Sequence, residues 1–232
     1  MITTLRLPSS NAYLIRGERP ILVDTGKPGD AKHISAALSK EGIALNDLAL
    51  ILHTHAHGDH VASTTALKQQ TSAPTAIHPL EVPMLRAGIA EGLKYRDPLA
   101  RFFLQPFLYA WEPFEPDLLV GDGDRLDDYG VKGTIIHTPG HTPGSISVIF
   151  DSGEAIVGDV MMGGHIGGHL LAHIPRYHYL IDDRDAVHAS IQRLLALGAE
   201  RFYVGHGSVL QRADIERKFA PMMRAFHPAP NA

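Results

Sequence analysis

The stretch His53-Thr54-His55-Ala56-His57-Gly58-Asp59-His60 packs four histidines and one aspartate into eight residues. It follows an apolar run, Leu48 to Leu52, that reads as a buried strand, and it precedes a helix expected over Val61 to Gln70. Imidazoles and a carboxylate at a strand end are the donors that a zinc-type cation needs. In extended backbone, residues two apart point the same way. His55 and His57 can therefore share one metal, while Asp59 and His60, at the turn into the helix, face a second position. The competing reading is a histidine-rich surface turn, and the rest of the chain decides between the two.

Upstream, residues 2 to 7 and 12 to 16 read as short strands around a Pro8–Asn11 turn. Pro20 to Gly26 is a buried strand ending in Asp24-Thr25-Gly26. Asp30 to Lys40 reads as a helix with Ile34, Ala37 and Leu38 on its apolar face, Asp30 as N-cap and Gly42 as stop. Downstream, strands are expected at 75–78, 131–137, 144–150, 155–158 and 201–204. A loop rich in glycine and histidine spans 161–178, with Gly163-Gly164 and Gly167-Gly168 suggesting mobility. Helices are expected from Asp182 through Leu197 and from Asp214 to Phe226, with a frayed Pro-rich tail at 227–232. Two β-rich halves with helices outside imply an α/β fold of two sheets covered by helices. At 232 residues the chain fits one such domain.

Residues 80–118 break this rhythm. Tyr95, Phe102, Phe103, Phe107, Tyr109, Trp111 and Phe114 are seven of the sixteen aromatics in the chain. Leu99, Phe102 and Phe103, closed by Gln105-Pro106, suggest a helix followed by a second apolar segment. Such an insertion serves as core or homodimer surface, or else as an apolar lid over a substrate pocket.

Composition narrows the function. A hydrophobic fraction of 44% and a charged fraction of 20% are those of a globular protein. A net charge of −4 gives no basic footprint for nucleic acid. No apolar run approaches the roughly 18 residues of a membrane span, and no signal peptide is evident, so a cytoplasmic location is expected. The absence of cysteine excludes disulfides and thiolate ligands.

Three further strand-end loops carry candidate ligands. Thr138-Pro-Gly-His141-Thr-Pro-Gly144 holds a histidine between two Pro-Gly pairs, Gly158-Asp159 offers a carboxylate, and Gly205-His206-Gly207 offers a glycine-flanked histidine. The order His55-x-His57-x-Asp59-His60, His141, Asp159, His206 resembles the metallo-β-lactamase superfamily. Asp24 in Val23-Asp24-Thr25-Gly26 matches another recurrent element of it, and the likeness runs from about residue 12 to 210. The resemblance implies an αββα sandwich with a two-metal site. On that pattern His55, His57 and His141 hold the first metal, Asp59, His60 and His206 the second, and Asp159 bridges them. Asp24 orients a ligand or loop from behind, and His53 falls outside the pattern. The chemistry implied is attack of a metal-bridging hydroxide on a carbonyl carbon, with Asp59 orienting it. Two zinc ions suit the donor set best, and iron and manganese are compatible.

The superfamily is chemically diverse, so the fold does not name a substrate. The cysteine ligand of many of its β-lactamases is impossible here. Little chain follows His206, so the added helical region of type II glyoxalases is not expected. Where many acyl-homoserine lactonases place a tyrosine after the bridging aspartate, this chain has Met162. The expectation is a dinuclear zinc hydrolase of a partly apolar ester, thioester or lactone. The alternatives are a mononuclear iron oxidoreductase resembling persulfide dioxygenases, which uses a subset of His55, His57, His141 and Asp159, β-lactam hydrolysis as a side activity, and a non-enzymatic metal-binding protein. His165, His169, His173 and His178 read as loop histidines with local partners, the alternative being that they line the substrate site, and Tyr177 and Tyr179 as packing residues, the alternative being a phenol supplied to the substrate carbonyl.

Overall fold

The computed structural model describes residues 1–96, 98–104 and 108–226, with backbone alone at 102–104 and 220–226. The Phe102 and Phe103 side chains, Gln105 to Phe107 and the tail at 227–232 lie outside the described residues. Strands β1 (Ile2–Arg6), β2 (Asn11–Ile15), β3 (Ile21–Val23), β4 (Leu50–Leu52), β5 (Thr75–Ile77) and β6 (Leu118–Leu119) form one sheet in that order. Strands β7 (Gly133–His137), β8 (Ile146–Phe150), β9 (Glu154–Gly158), β12 (Arg201–Val204) and β13 (Leu210–Gln211) form the second, in the order β13-β12-β9-β8-β7. The hairpin β10 (Met162–His165) and β11 (Leu170–Arg176) stands between β9 and β12 in the chain.

Period-two alternation sorts the side chains into layers. Tyr13, Ile21, Val23, Leu50 and Leu52 face Ile135, Ile146, Val148, Ile156 and Tyr203 of the other sheet. Tyr13 and Tyr203 meet edge to face across that interface, 5.7 Å between centroids. On the opposite face of the first sheet, Leu14, Leu22 and Ile51 pack on Ile34 and Leu38 of α1 (Ala31–Lys40) and Leu67 of α3 (Thr64–Lys68). On the outer face of the second, Val157, Phe202 and Val204 pack on Ile191 and Leu194 of α6 (Arg184–Ala196) and Ile215 and Phe219 of α7 (Arg212–Phe226). The result is the expected αββα sandwich.

Strand direction decides where the chemistry gathers. In the first sheet β3, β4 and β5 are parallel, so the loops after them, beginning at Asp24, His53 and His78, leave from one edge. In the second, β7 is antiparallel to β8 and β8 to β9, while β9 and β12 are parallel. Thus β7, β9 and β12 also share a direction, and the loops bearing His141, Asp159 and His206 leave together. Crevices at the carboxyl ends of strands are where α/β sheets place ligand sites.

Three local expectations are corrected. The helix expected at 61–70 is two pieces, α2 (Gly58–Val61) and α3. The Ala62 N–H donates to Gly26 O at 3.1 Å, and His60 O accepts the Thr25 N–H at 2.7 Å, so the Asp24 loop draws backbone bonds away from the helix. Asp30 stands at the N-cap of α1 but does not cap it through its side chain; Ser63 Oγ accepts the Asp30 and Ala31 N–H groups at 2.9 and 3.1 Å. The 161–178 loop is instead the β10–β11 hairpin, closed by Gly167 and Gly168 at φ 59° and 87°. Those glycines supply the left-handed turn.

Candidate metal centre

His57 is the last extended residue before α2 (φ −94°, ψ 151°), and Asp59 and His60 lie in the first turn after it. This puts His55 and His57 on one side of the cluster and Asp59 and His60 on the other. His55 Nε2 and His57 Nδ1 lie 3.1 and 2.9 Å from His141 Nε2. Asp59 Oδ2 lies 3.3 Å from His206 Nε2 and 3.9 Å from His60 Nε2. Asp159 Oδ2 stands between the groups, 3.7 Å from His55 Nε2, 3.5 Å from His141 Nε2, 3.4 Å from His60 Nε2 and 3.3 Å from His206 Nε2. All seven sequence-derived candidates converge, and all but Asp59 are buried. His53 does not reach the cluster: its Nε2 pairs with Thr64 Oγ1 at 3.2 Å.

Buried polar atoms are nearly always paired. Here His60 Nε2 and His206 Nε2 are buried and have no hydrogen-bond partner. Orphaned nitrogens aimed at carboxylates, in a sulfur-free set of imidazoles and aspartates, fit divalent cations. The charges agree. Burial lowers His57 to about 4 and His141 to about 3, and burial with the neighbouring imidazoles holds His55 well below its usual value. These rings keep their lone pairs near neutrality. Burial also opposes protonation of His60 and His206, but Asp159 and Asp59 outweigh it, raising His206 to about 10 and His60 well above its usual value. Burial likewise opposes ionisation of Asp59 and Asp159, and the facing imidazoles overcome it, holding both carboxyls below the usual range. Protons thus sit where the second group has room for a cation.

Hydrogen bonds behind the ring fix which nitrogen faces inward. Asp24, buried and in the left-handed region at φ 61°, accepts His60 Nδ1–H at 2.8 Å. Its carboxylate also accepts the Thr54 N–H and Oγ1–H, both at 2.8 Å. Asp24 therefore orients both a candidate ligand and the histidine loop. His141 donates Nδ1–H to Leu180 O at 2.8 Å. Gly205 is required by space: a Cβ there would lie 2.1 Å from Asp159 Oδ1.

Two participants escaped the sequence reading. Glu81 is buried and accepts the Ala56 N–H through Oε2 and the Gly144 N–H through Oε1, both at 2.8 Å, clamping the two histidine loops together. Its signal was position: it lies in the loop after β5, on the same sheet edge as Asp24, which directly follows β3. His178 is buried, its ring stacked 5.3 Å from His206 and edge-on 4.5 Å from His141, with Nε2 3.4 Å from Asp159 Oδ2. Burial lowers it to about 3. Its signal was the apolar pair Leu180-Ile181 just behind it. Of the other loop histidines, His165 pairs with Arg176, while His169 and His173 are exposed. Tyr177 packs on Phe219, and Tyr179 Oη accepts the Ile166 N–H at 3.1 Å.

A cavity of about 540 Å³ opens over His57, Asp59, His178 and His206, walled by Ile89, Leu99, Leu108 and Leu180. The insertion therefore serves two uses. Trp111, and Leu85 of α4 (Val82–Ala87), join the core with Val61 and Ile77, whereas Ile89, Leu99 of α5 (Pro98–Leu104) and Leu108 line the pocket. No helix among the described residues is long and apolar enough to cross a membrane.

An αββα sandwich with histidines and aspartates gathered at one sheet edge defines a metal-dependent hydrolase class. The profile of the metallo-beta-lactamase superfamily matches residues 5–206, and the chain belongs to that superfamily. A probable metallo-hydrolase of Methanocaldococcus jannaschii is 32% identical over 208 residues, 88% of this chain and 90% of that protein. A hydroxyacylglutathione hydrolase of Cereibacter sphaeroides is 31% identical over 70% of this chain and 52% of its own length. Among solved structures, TTHA1623 in a di-iron-bound form is 29% identical, with a TM-score of 0.69 over 94% of this chain and 97% of that one. A B3 metallo-beta-lactamase, BLEG-1, shares the fold at 24% identity, with a TM-score of 0.70 over 96% and 99% of the two chains. The chain is a metallo-hydrolase of this superfamily.

Proposed function

We propose that this chain hydrolyses a small or medium ester, thioester or lactone with an apolar acyl part, using two zinc ions. The observation that carries the reading is Asp159 Oδ2, within 3.3–3.7 Å of imidazoles from both candidate groups, among them His206, which lines the apolar pocket together with His57 and Asp59. His55, His57 and His141 would hold one ion, Asp59, His60 and His206 the other, with Asp159 shared. When bound, such a pair lowers the pKa of a shared water and polarises a carbonyl oxygen. The chain's own residues do the rest. Asp59 is the least buried of the set, with its side chain 20% exposed, and it lines the pocket as an anion able to take a hydrogen bond from water. Ile89, Leu99 and Leu108 seat the acyl part and exclude bulk water. The hydroxyacylglutathione hydrolase among the relatives supports an acyl substrate.

The di-iron form of TTHA1623 favours a second reading of the metal: iron in place of zinc. Elemental analysis of protein purified without added metal separates these. Near two zinc per chain supports the zinc hydrolase, near two iron per chain with hydrolysis supports the iron reading, and one iron with oxygen consumption supports an oxygenase. His57→Ala and Asp159→Ala should abolish turnover across an ester, thioester and lactone panel while the protein still expresses. Undiminished hydrolysis in a folded, metal-free variant refutes the proposal.

A further inference from the structure

His178 and His141 are neighbouring rings whose proton placement is set by one residue, Leu180. The Leu180 carbonyl accepts His141 Nδ1–H at 2.8 Å, which leaves the His141 Nε2 lone pair facing the cluster. The Leu180 N–H donates to His178 Nδ1 at 3.1 Å. An imidazole that accepts at Nδ1 carries its proton on Nε2. Leu180 O also lies 3.3 Å from His178 Nδ1, but the opposite tautomer would set an Nδ1–H against the Leu180 N–H, donor against donor. So His141 presents a lone pair and His178 presents an N–H, although both rings point at Asp159 Oδ2 from 3.5 and 3.4 Å. The single proton of the neutral His178 ring sits on Nε2, so that nitrogen has no lone pair for a metal, whereas His60 keeps its Nδ1–H on Asp24 and its Nε2 is freed once a cation displaces the second proton.

We propose that His178 is a catalytic hydrogen-bond donor and not a metal ligand: its Nε2–H stabilises the oxygen of the substrate carbonyl during hydrolysis. The inference rests on the hydrolase reading above. His178 lines the pocket beside His57, Asp59 and His206, so a carbonyl brought to the cluster meets it. As the water oxygen bonds to the carbonyl carbon, the C=O π pair moves onto oxygen, and that oxygen accepts the bond from Nε2–H. The π bond then re-forms and the bond to the leaving group breaks. The water hydroxyl stays on the acyl product and the water's other proton goes to the leaving group. The His178 proton remains on Nε2 throughout. A donor aimed at charge that develops only in the transition state acts on kcat rather than on KM.

The test uses the full chain with two substitutions, zinc analysis and NMR. His178→Phe keeps a flat ring beside His206 and removes the donor. It should lower kcat about 10²–10³-fold, as loss of one such donor does, with KM near wild type and zinc content unchanged. His178→Gln restores an N–H and should recover most of that loss. Imidazole 15N spectra of wild-type protein should show His178 with a protonated Nε2 and a hydrogen-bonded, unprotonated Nδ1, with and without zinc. Loss of one zinc per chain in His178→Phe would make His178 a ligand and overturn the proposal, as would an unchanged kcat or an Nδ1–H tautomer in the spectra. The parent reading fails separately, and takes this one with it, when wild-type protein binds no metal and cleaves no member of the panel.

Discussion

Replacing Glu81 by glutamine keeps the volume of the side chain and changes one carboxylate oxygen into an amide NH2. That carboxylate accepts two backbone N–H groups, Ala56 between His55 and His57, and Gly144 three residues beyond His141. Glutamine can accept only one of them, so its amide NH2 must face the other N–H. A hydrogen bond to a charged group contributes about 1.5–3 kcal/mol, and stranding the buried donor costs a similar amount. Against this, burial raises the Glu81 carboxyl, outweighing its bonds to Thr142, Ala56 and Gly144, so neutralising it relieves part of the desolvation cost. The net destabilisation should be about 2 kcal/mol. With a urea slope of about 2 kcal/mol per molar, the midpoint of the chelated protein falls by about 1 M. The same change frees the His55–His57 loop from the His141 loop. Zinc affinity should therefore fall in the His55, His57, His141 group and change little in the other, which competition with a chromophoric chelator can resolve. An unchanged midpoint together with unchanged affinity in both groups would refute the clamp.

Two further outcomes are expected. At pH 7 His60 and His206 hold protons while His55, His57 and His141 do not, so a cation entering the second group must displace protons. Its affinity should rise with pH toward about 10, while that of the first group is flat above about 4; calorimetry at pH 7 in buffers of different ionisation enthalpy should show proton release, and none would contradict the assignment. Gly205→Ala forces a Cβ to within 2.1 Å of Asp159 Oδ1 and 2.8 Å of His60 Cε1, an overpacking cost of about 1–3 kcal/mol, and thermal unfolding with metal analysis should show lower Tm and a lower metal content than wild type.

The ligand candidates were legible because each is a histidine or aspartate just past an apolar run, and strand ends are where such donors can converge. Asp24 was legible for the same reason. Glu81 was not, because a charged residue in Pro79-Leu80-Glu81-Val82 reads as the exposed start of a helix; its burial arises only when the second sheet brings Gly144 to it. His178 stood among four loop histidines, and its one local signal, the apolar pair Leu180-Ile181, is too slight to separate it from the exposed His173. The break at Ala62-Ser63 was likewise invisible, since it comes from backbone bonds to Gly26 and from the use of Ser63 Oγ on α1, both distant in sequence.

The two sheets are contiguous in the chain: residues 2–119 supply the first and residues 133–211 the second. His55, His57, Asp59 and His60 come from the first half, and His141, Asp159 and His206 from the second. Neither half carries all the candidate ligands of either group. The hydrogen-bond ladders of each sheet lie within its own stretch of chain, but the cluster exists only where the halves are docked. Metal uptake is therefore a timer for folding, recording the moment of sheet-on-sheet assembly. A chain severed between residues 120 and 132 would regain binding only by the meeting of its fragments.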